Sequence, residues 1–262
     1  MRWGGLVGLV ALTGCRQIFG IGDPGAATGD APAALIDSEH LDDARGSDAA
    51  PASVLCDPID SSLVGCWDFD GTTTDGTPHH LDITPSGVPS YVAGHIGQAI
   101  DATTIDLNVA ESPVLDVSAV TIEAWIYADQ LPGSGGGMTA RAGILDNNNQ
   151  YALYIESNGS IRCYAGPATA NMSNVIVVHT WTHVACTAAG VQILAYVNGV
   201  QVASGVMSGI PTSGTTGLTL GSDNPSGNGS RFSGKLDAVR LYNRALSATE
   251  ICHAYNPLCN GN

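Results

Sequence analysis

The sequence has 262 residues, of which 44% are hydrophobic and 13% charged, and its formal net charge is −15. This length allows one large all-β domain with extensions or two small domains, and the hydrophobic content is sufficient for a sizeable core. The acidic charge repels nucleic acids and anionic lipid surfaces, so we expect no nucleic-acid partner.

The first residues are predicted to be a targeting signal. Arg2 precedes an apolar run from Gly4 to Leu12, which is too short to span a bilayer. The motif Leu12-Thr13-Gly14-Cys15 resembles a bacterial lipobox, in which cleavage leaves a lipid-carrying Cys15 at the new N-terminus. We therefore expect residues 1–14 to be a lipoprotein signal peptide. The protein would then be anchored by lipid in the bacterial cell envelope, at the outer membrane or the cell surface. The alternative is an ordinary signal peptide that ends near a cysteine.

A disordered tether is predicted to follow, over residues 15–55. Residues 16–55 contain nine Ala, five Gly, three Pro and seven acidic residues against two basic ones. Such a segment buries too little apolar surface to offset the entropy lost on ordering. The folded domain is predicted over residues 56–262.

The composition changes at Cys56, where short β-type runs begin to alternate with turn signals. Asn158-Gly159 and Asn198-Gly199 are typical of tight hairpins. Ser247 and Glu250 form a capping-box pattern, which predicts one short C-terminal helix. Strands are predicted near 64–69, 97–101, 104–108, 119–128, 141–145, 151–156, 160–165, 175–178, 181–188, 191–198, 200–204, 217–221 and 234–242. This pattern predicts an all-β, two-sheet antiparallel β-sandwich.

Five phrases in order resemble the laminin G-like, concanavalin A-like jelly-roll superfamily, over about residues 62–256. They are "LVGCWDFDG", "GHIGQAIDATTIDLNV", "VTIEAWIYAD", "WTHVACTAAGVQILAYVNGVQVASG" and "GKLDAVRLYNRALSATEI". The resemblance implies a two-sheet jelly roll that is often associated with calcium on one rim and usually binds glycans or proteins. Some relatives in the wider superfamily are glucanases.

Six cysteines follow Cys15, and an even number in an exported chain favours three disulfides. Cys163 and Cys186 are expected to lie opposite each other on consecutive antiparallel strands, where Cβ atoms are about 4.5–5.5 Å apart. The other four can pair locally, as Cys56–Cys66 and Cys252–Cys259, or across the termini. We favour the cross-terminal pairing, because the first and last strands should adjoin.

The polar run Asp146-Asn147-Asn148-Asn149-Gln150 offers side-chain oxygens, which calcium prefers. A later loop, "GSDNPSGNGS", offers more, and pentraxins resemble this chain in having two such clusters. The resemblance places Asp146 and Asn147 against Asp223 and Asn224 as calcium ligands. Further ligand-binding candidates in these two loops are Asn148, Asn149 and Asn228. The alternative is two asparagine-rich turns, because Asn and Asp suit turns anyway.

Catalytic motifs are mostly absent. The superfamily's glucanases carry a Glu-x-Asp-x-x-Glu strand, and this sequence has five Glu without that spacing. Trp67, Trp125 and Trp181 lie in or beside predicted strands, where core packing is the expected role. One of them could instead form an exposed platform for a sugar ring.

These observations favour a non-catalytic, lipid-anchored surface module that binds a glycan or glycoprotein, with calcium if the two loops meet. The alternatives are a structural or adhesion lipoprotein that binds protein partners without a sugar pocket and, less favoured, a glycoside hydrolase.

Overall fold

The computed structural model describes residues 55–133, 140–212, 214, 216–223 and 231–259. Cys15, the tether up to residue 54, Asn224 and Asn228 lie outside the described residues, so the expectations for them stay predictions. No helix in the described part is long and apolar enough to cross a membrane.

The described residues form fifteen β-strands, one turn of 3₁₀-helix at Pro113–Leu115 and one α-helix, α1, at Ala248–Tyr255. In chain order the strands are β1 (Leu63–Trp67), β2 (Ile83–Pro85), β3 (Tyr91–Ala93), β4 (Gln98–Asp101), β5 (Leu107–Val109), β6 (Val120–Ala128), β7 (Arg141–Asn147), β8 (Tyr151–Glu156), β9 (Ile161–Ala165), β10 (Ala168–Met172), β11 (Trp181–Ala189), β12 (Gln192–Val197), β13 (Val200–Val206), β14 (Thr219–Leu220) and β15 (Gly234–Tyr242).

The strands form two sheets whose pairs are antiparallel throughout the described residues. The eight-stranded sheet has the order β13-β12-β11-β6-β15-β4-β3, with β1 also paired to β15. The seven-stranded sheet has the order β10-β9-β8-β7-β14-β5-β2. The predicted all-β jelly-roll sandwich with a short C-terminal helix is therefore confirmed.

One apolar core fills the space between the sheets, and strand alternation builds it. In β6, Val120, Ile122 and Ile126 are buried in this core. In β8, Leu153 and Ile155 belong to the same core. The intervening side chains point to the outer faces, because successive residues of a strand alternate in direction.

The C-terminal helix begins where the capping box predicted. The Ser247 side chain accepts a hydrogen bond from the Glu250 backbone N–H, and the Glu250 side chain accepts one from the Ser247 backbone N–H. Ile251 of the helix packs in a second buried cluster that also contains Leu63 and Tyr242. The helix therefore covers part of the outer face of the eight-stranded sheet.

The strand predictions fail at the shortest elements. No strand forms at 175–178, where the backbone N–H groups of Val175 and Ile176 instead donate to the carbonyl of Gly159. Strands β2, β3 and β10 were not predicted from the sequence. The first two are three residues long, and β10 has few strand-forming side chains and owes its conformation to pairing with β9.

The Cys163–Cys186 disulfide is present, with its Cα atoms 5.4 Å apart. The reason given for it was wrong, because the two cysteines do not lie on paired strands. Cys163 is in the seven-stranded sheet and Cys186 in the eight-stranded sheet, so this disulfide crosses the core.

The favoured cross-terminal pairing was also wrong. Cys56 pairs with Cys66, and Cys252 pairs with Cys259. The first and last strands do adjoin, but Cys66 lies opposite Arg240 in that register. Cys252 belongs to the helix and closes a loop of only a few residues.

Replacing Cys163 and Cys186 together by alanine should lower the free energy of unfolding by about 3 kcal/mol, because their disulfide closes a loop of 23 residues. The matched change at Cys252 and Cys259, which closes a loop of 7 residues, should cost about 2 kcal/mol. Urea unfolding of the three proteins checks this. A larger loss for the Cys252–Cys259 variant would contradict the loop-closure argument.

Candidate functional site

A polar cavity of about 390 Å³ opens on the outer face of the seven-stranded sheet. Strands β7, β8 and β9 lie side by side there and supply most of its walls. Its lining residues on β7 and in the turn after it are Arg141, Asp146, Asn148 and Asn149. The others are Tyr154, Arg162 and Tyr164 on the neighbouring strands and Asp223 on a crossing segment.

The strand register explains why this surface is concave. Ala152 lies opposite Asp146 on one side and opposite Tyr164 on the other. Its methyl group leaves a low floor between a carboxylate and an aromatic ring. In the next row Gly143 is opposite Tyr154, which in turn is opposite Arg162.

Gly143 is required by the chain that crosses it. A β-carbon at this position would overlap the carbonyl group of Ser222, so only glycine permits the approach. This approach carries Asp223 to the rim of the cavity, 82 residues after Arg141 in sequence. The predicted meeting of the Asp146 and Asp223 loops therefore occurs, and both side chains line one cavity.

Arg141 holds Asp223 with a two-pronged ion pair. Its Nε lies 2.7 Å from Asp223 Oδ2, and its Nη2 lies 2.9 Å from Asp223 Oδ1. The same guanidinium lies 4.5 Å from the centre of the Tyr154 ring. Arg141 thus links the crossing segment to β8 through a charge-assisted pair and a cation–π contact.

Asp146 is a buried carboxylate whose side chain is incompletely bonded. The residue is only 3% exposed, and its Oδ1 has no hydrogen-bond partner within the part of the chain that the structure describes. Burial, and next the negative charge of Asp223, raise the pKa of Asp146 to about 7. The Tyr154 hydroxyl, the positive charge of Arg141 and the Asn148 backbone N–H oppose this rise in the pKa, in that order.

The polar run divides between two faces. Asn148 and Asn149, two of the predicted ligand-binding candidates, line the cavity with Asp146. Asn147 points the other way, and its amide donates to Gln150 Oε1 at 2.7 Å. Gln150 in turn donates to Asp116 Oδ1 and to the Pro211 carbonyl, at 2.7 and 2.8 Å. Asn147 and Gln150 fasten the turn from within, which corrects the expectation that Asn147 joins Asp146 in one ligand set.

The described residues fit a calcium ion poorly. Calcium needs six to eight oxygen ligands, whereas both oxygens of Asp223 already accept hydrogen bonds from Arg141. Within the part of the chain that the structure describes, no group of three or more His, Cys, Asp and Glu side chains could hold a metal ion. The guanidinium of Arg141 supplies the positive charge between the two acids. Calcium binding stays a prediction that would need residues outside the described ranges.

Four residues of the cavity were missed from the sequence: Arg141, Tyr154, Arg162 and Tyr164. Tyr154, Arg162 and Tyr164 occupy alternate positions that face away from the core, on two strands joined by the Asn158-Gly159 turn. The hairpin and the alternation together were the available signal, because they place these side chains on one outer surface.

A sequence comparison identifies the family. A laminin G-like family model, described as the concanavalin A-like lectin/glucanases superfamily, matches residues 101–252. The chain belongs to this superfamily. No protein of curated function matches the chain.

Solved structures resemble the fold at low sequence identity. Domain 4 of AbnA, a GH43 extracellular arabinanase from Geobacillus stearothermophilus, in complex with arabinotriose, has a TM-score of 0.60 and 18% identity. That match covers 74% of this chain and 98% of the domain. The binding domain of Paraclostridial Mosquitocidal Protein 1 has a TM-score of 0.58, and that of botulinum neurotoxin serotype C1 has a TM-score of 0.57. Each is 15% identical to this chain, and each match covers 75% of this chain and 52% of the toxin domain. This chain thus matches about half the length of each toxin binding domain.

Gly143→Ala should displace the Ser222–Asp223 segment and break its ion pair with Arg141, because the added methyl group meets backbone. We expect a loss of at least about 2 kcal/mol in the free energy of unfolding, as for other overpacking changes. Gly87→Ala is the control, because a β-carbon there makes only an ordinary contact with Ile105. Equal unfolding midpoints for the two variants would contradict the required close approach.

Asp146 should make the fold more stable as the pH falls through neutrality. Its pKa is raised in the folded protein, to about 7, so the folded state holds a proton that the unfolded state has released. Stability from this group is complete below the unfolded pKa and is lost as the pH rises through the folded one. Between about pH 5 and pH 7 the wild type should gain up to about 1.4 kcal/mol per pH unit of acidification relative to Asp146→Asn.

Urea unfolding of both proteins across that range measures the difference. Asp237, whose pKa is also raised, to about 6, is common to both proteins and drops out of the comparison. Parallel stability curves would show that Asp146 is ionised throughout.

Proposed function

We propose that this protein is a non-catalytic glycan-binding module that holds a neutral saccharide in the polar cavity. The observation that carries the proposal is Asp146 Oδ1, a buried carboxylate oxygen that has no hydrogen-bond partner among the described residues, in a cavity lined by tyrosine, asparagine and arginine. A sugar hydroxyl group can donate a hydrogen bond to such an oxygen, and it does not bring a charge into the site.

The charges of the cavity favour a neutral ligand. Arg141 pairs with Asp223, and Arg162 Nη1 lies 3.0 Å from Glu156 Oε1. An anionic ligand would compete with these internal partners and would meet Asp146 as well. The half-buried Tyr164 ring offers an apolar face for a sugar ring, and the Asn148 amide offers a donor and an acceptor.

The comparisons support the same class of ligand without identifying it. The arabinanase domain that shares this fold was solved in complex with arabinotriose. At 18% identity this relation supports the fold, and the choice of sugar for the present chain remains part of the proposal.

Attachment to the bacterial cell envelope is the second part of the proposal. It depends on the lipobox-like Leu12-Thr13-Gly14-Cys15 and on the acidic, Ala/Gly/Pro-rich residues that follow. A lipid on Cys15 and a tether of about forty residues would hold the cavity about 35 Å from the membrane. A glycan or a surface glycoprotein would then be within reach.

Asp146→Asn and Tyr164→Ala should each weaken binding at least about fivefold, since one removes the ionisable acceptor and the other the stacking ring. The probes are immobilised neutral polysaccharides (arabinan, xylan, galactan and β-glucan), with polygalacturonate as an acidic comparison. Affinity electrophoresis of the full chain measures retention. Asn148→Ala inside the cavity is matched by Asn243→Ala, an exposed amide beyond β15.

The outcomes separate the hypotheses. Equal retention of Asn148→Ala and Asn243→Ala, with no loss in the other two variants, would remove the polar cavity from the binding site. No retention on any polysaccharide would favour the adhesion lipoprotein that contacts protein partners. Repeating the gels with calcium and with EDTA tests the predicted calcium dependence. Because Arg141 already supplies a positive charge at the cavity, we expect equal retention with and without calcium.

A glycoside hydrolase is a second candidate, favoured by the raised pKa of Asp146 beside Asp223. Hydrolases use one protonated and one ionised carboxyl group. Asp223 is held on both oxygens by Arg141, which disfavours it as a nucleophile or a base. Release of reducing sugars from a retained polysaccharide, lost in Asp146→Asn, would establish hydrolysis and overturn the non-catalytic part of the proposal.

A further inference from the structure

The outer face of the eight-stranded sheet presents aromatic rings in the rows set by its register. Trp181 of β11 lies opposite Tyr127 of β6, and His183 lies opposite Trp125. The ring centres of Tyr127 and Trp181 are 5.6 Å apart, and those of Trp125 and His183 are 5.4 Å apart. We call Tyr127, Trp181, His95, Trp125 and Tyr255 the aromatic strip.

Two segments outside these strands complete the strip. His95 stacks on Trp125 with ring centres 3.4 Å apart and reaches to within 6.2 Å of Trp181. Tyr255 of α1 lies 5.7 Å from Trp125 on another side. Trp125 is therefore only 4% exposed, whereas Tyr255 is 36% exposed and Trp181 is half-buried. Core packing was the expectation for Trp125 and Trp181, but both lie on the outer face, and Trp67 alone of the three belongs to the core between the sheets.

The position of His95 is fixed by backbone contacts. Asp237 Oδ2 accepts hydrogen bonds from the backbone N–H groups of His95 and Ile96, at 2.7 and 2.8 Å. A β-carbon on Gly94 would collide with the same carboxylate, so glycine permits this turn. The loop is thus held against β15, and the ring of His95 is positioned before any ligand arrives.

Two adjacent cavities, of about 300 and 570 Å³, lie along the strip. They share His95, Trp125, Tyr255 and Pro257. The smaller one adds Trp181 and two amides, Asn198 and Asn256. Together they form one trough with aromatic rings at its centre and amide groups at one end.

Four of the five Asp, Glu and Arg side chains that line the larger cavity form ion pairs with one another. Arg240 Nε lies 2.9 Å from Glu123 Oε1, and Arg244 Nη2 lies 2.7 Å from Glu250 Oε1. Asp60 accepts hydrogen bonds from the backbone and hydroxyl of Ser62. Both arginines are therefore occupied, so a ligand that matches this trough needs apolar ring faces and hydroxyl groups and gains nothing from a negative charge.

We propose that the aromatic strip is a second saccharide-binding site, for a neutral oligosaccharide that stacks on Trp181 and Tyr255. An apolar or proline-rich peptide would also stack on the rings. Such a peptide brings few hydroxyl groups to the Asn198 and Asn256 amides of the trough, which disfavours it. This site is independent of the polar cavity in its residues and its sheet.

The two sites lie on opposite outer faces of the sandwich, with the whole core between them. One short oligosaccharide cannot occupy both, so the domain bridges two glycan chains or two segments of one long chain. This bridging rests on the proposed function, whereas the second site does not.

Titration of the full chain with neutral arabino-, xylo-, cello- and manno-oligosaccharides, followed by calorimetry, tests the second site. Trp181→Ala should weaken one of two binding events at least about fivefold. Trp181→Phe keeps a stacking ring and should restore most of the affinity. Val200→Ala, an exposed position on the same sheet, is the matched control. Near-ultraviolet circular dichroism of each variant checks that the fold is kept.

Each result decides between the two sites. The aromatic strip is rejected as a binding site if Trp181→Ala binds every oligosaccharide as the wild type does. It is also rejected if neither protein binds any of them. If Trp181→Ala loses saccharide binding and Tyr164→Ala binds as the wild type does, the aromatic strip is supported as a binding site and the polar cavity is rejected. Competition by a proline-rich peptide stronger than by any saccharide would overturn the ligand class.

Bridging has its own readout. Beads coated with the retained polysaccharide should aggregate with the wild type and stay dispersed with either Trp181→Ala or Tyr164→Ala. Light scattering of the protein alone must show one chain per particle, since an oligomer would also bridge. Aggregation that survives either substitution would overturn the bridging.

Discussion

The apolar core shared by the two sheets is the constraint on which the rest of the molecule depends. Leu153 and Cys163 must face it, so Tyr154 and Tyr164, one residue further on, must face outward. A slip of one residue in either strand would exchange these faces and bury the polar ones. The Cys163–Cys186 disulfide joins the two sheets through this core and opposes such a slip. Both proposed sites are therefore consequences of the register that burial enforces.

The polar cavity lowers the stability of the fold, because it buries the carboxyl group of Asp146. A buried carboxylate next to a second one lowers stability, and the pKa of Asp146 expresses that cost. An apolar side chain at this position would remove the penalty. The ion pair of Arg141 with Asp223 reduces the repulsion, but none of the described residues bonds to Asp146 Oδ1. A ligand that donates a hydrogen bond to Asp146 Oδ1 would therefore recover part of the lost stability.

Sequence patterns predicted the sandwich, the capped helix and most long strands, because each of these is encoded by alternation or by a local cap. They could not reveal that Cys163 and Cys186 lie in facing sheets, since the same spacing suits a hairpin and a crossing. They brought Asp146 and Asp223 together only through a resemblance. Arg141 was overlooked because its partner lies 82 residues away and depends on the bare Gly143 surface. Asn147 was misassigned because strand alternation turns it inward beside Gln150.

The two outer faces use different chemistry, and the backbone explains why. On the seven-stranded sheet, Gly143 and Ala152 keep the floor low, so charged groups from a crossing loop can descend and pair over it. On the eight-stranded sheet, Trp125 and Tyr127 fill the corresponding surface, and the neighbouring loop and helix add the rings of His95 and Tyr255. A guanidinium fixed by Tyr154 and Asp223 has a rigid geometry and is always charged. It can therefore perform at the polar cavity the charge compensation for which a bound cation would otherwise be needed. Recognition at both faces would then depend on groups that the fold itself has positioned.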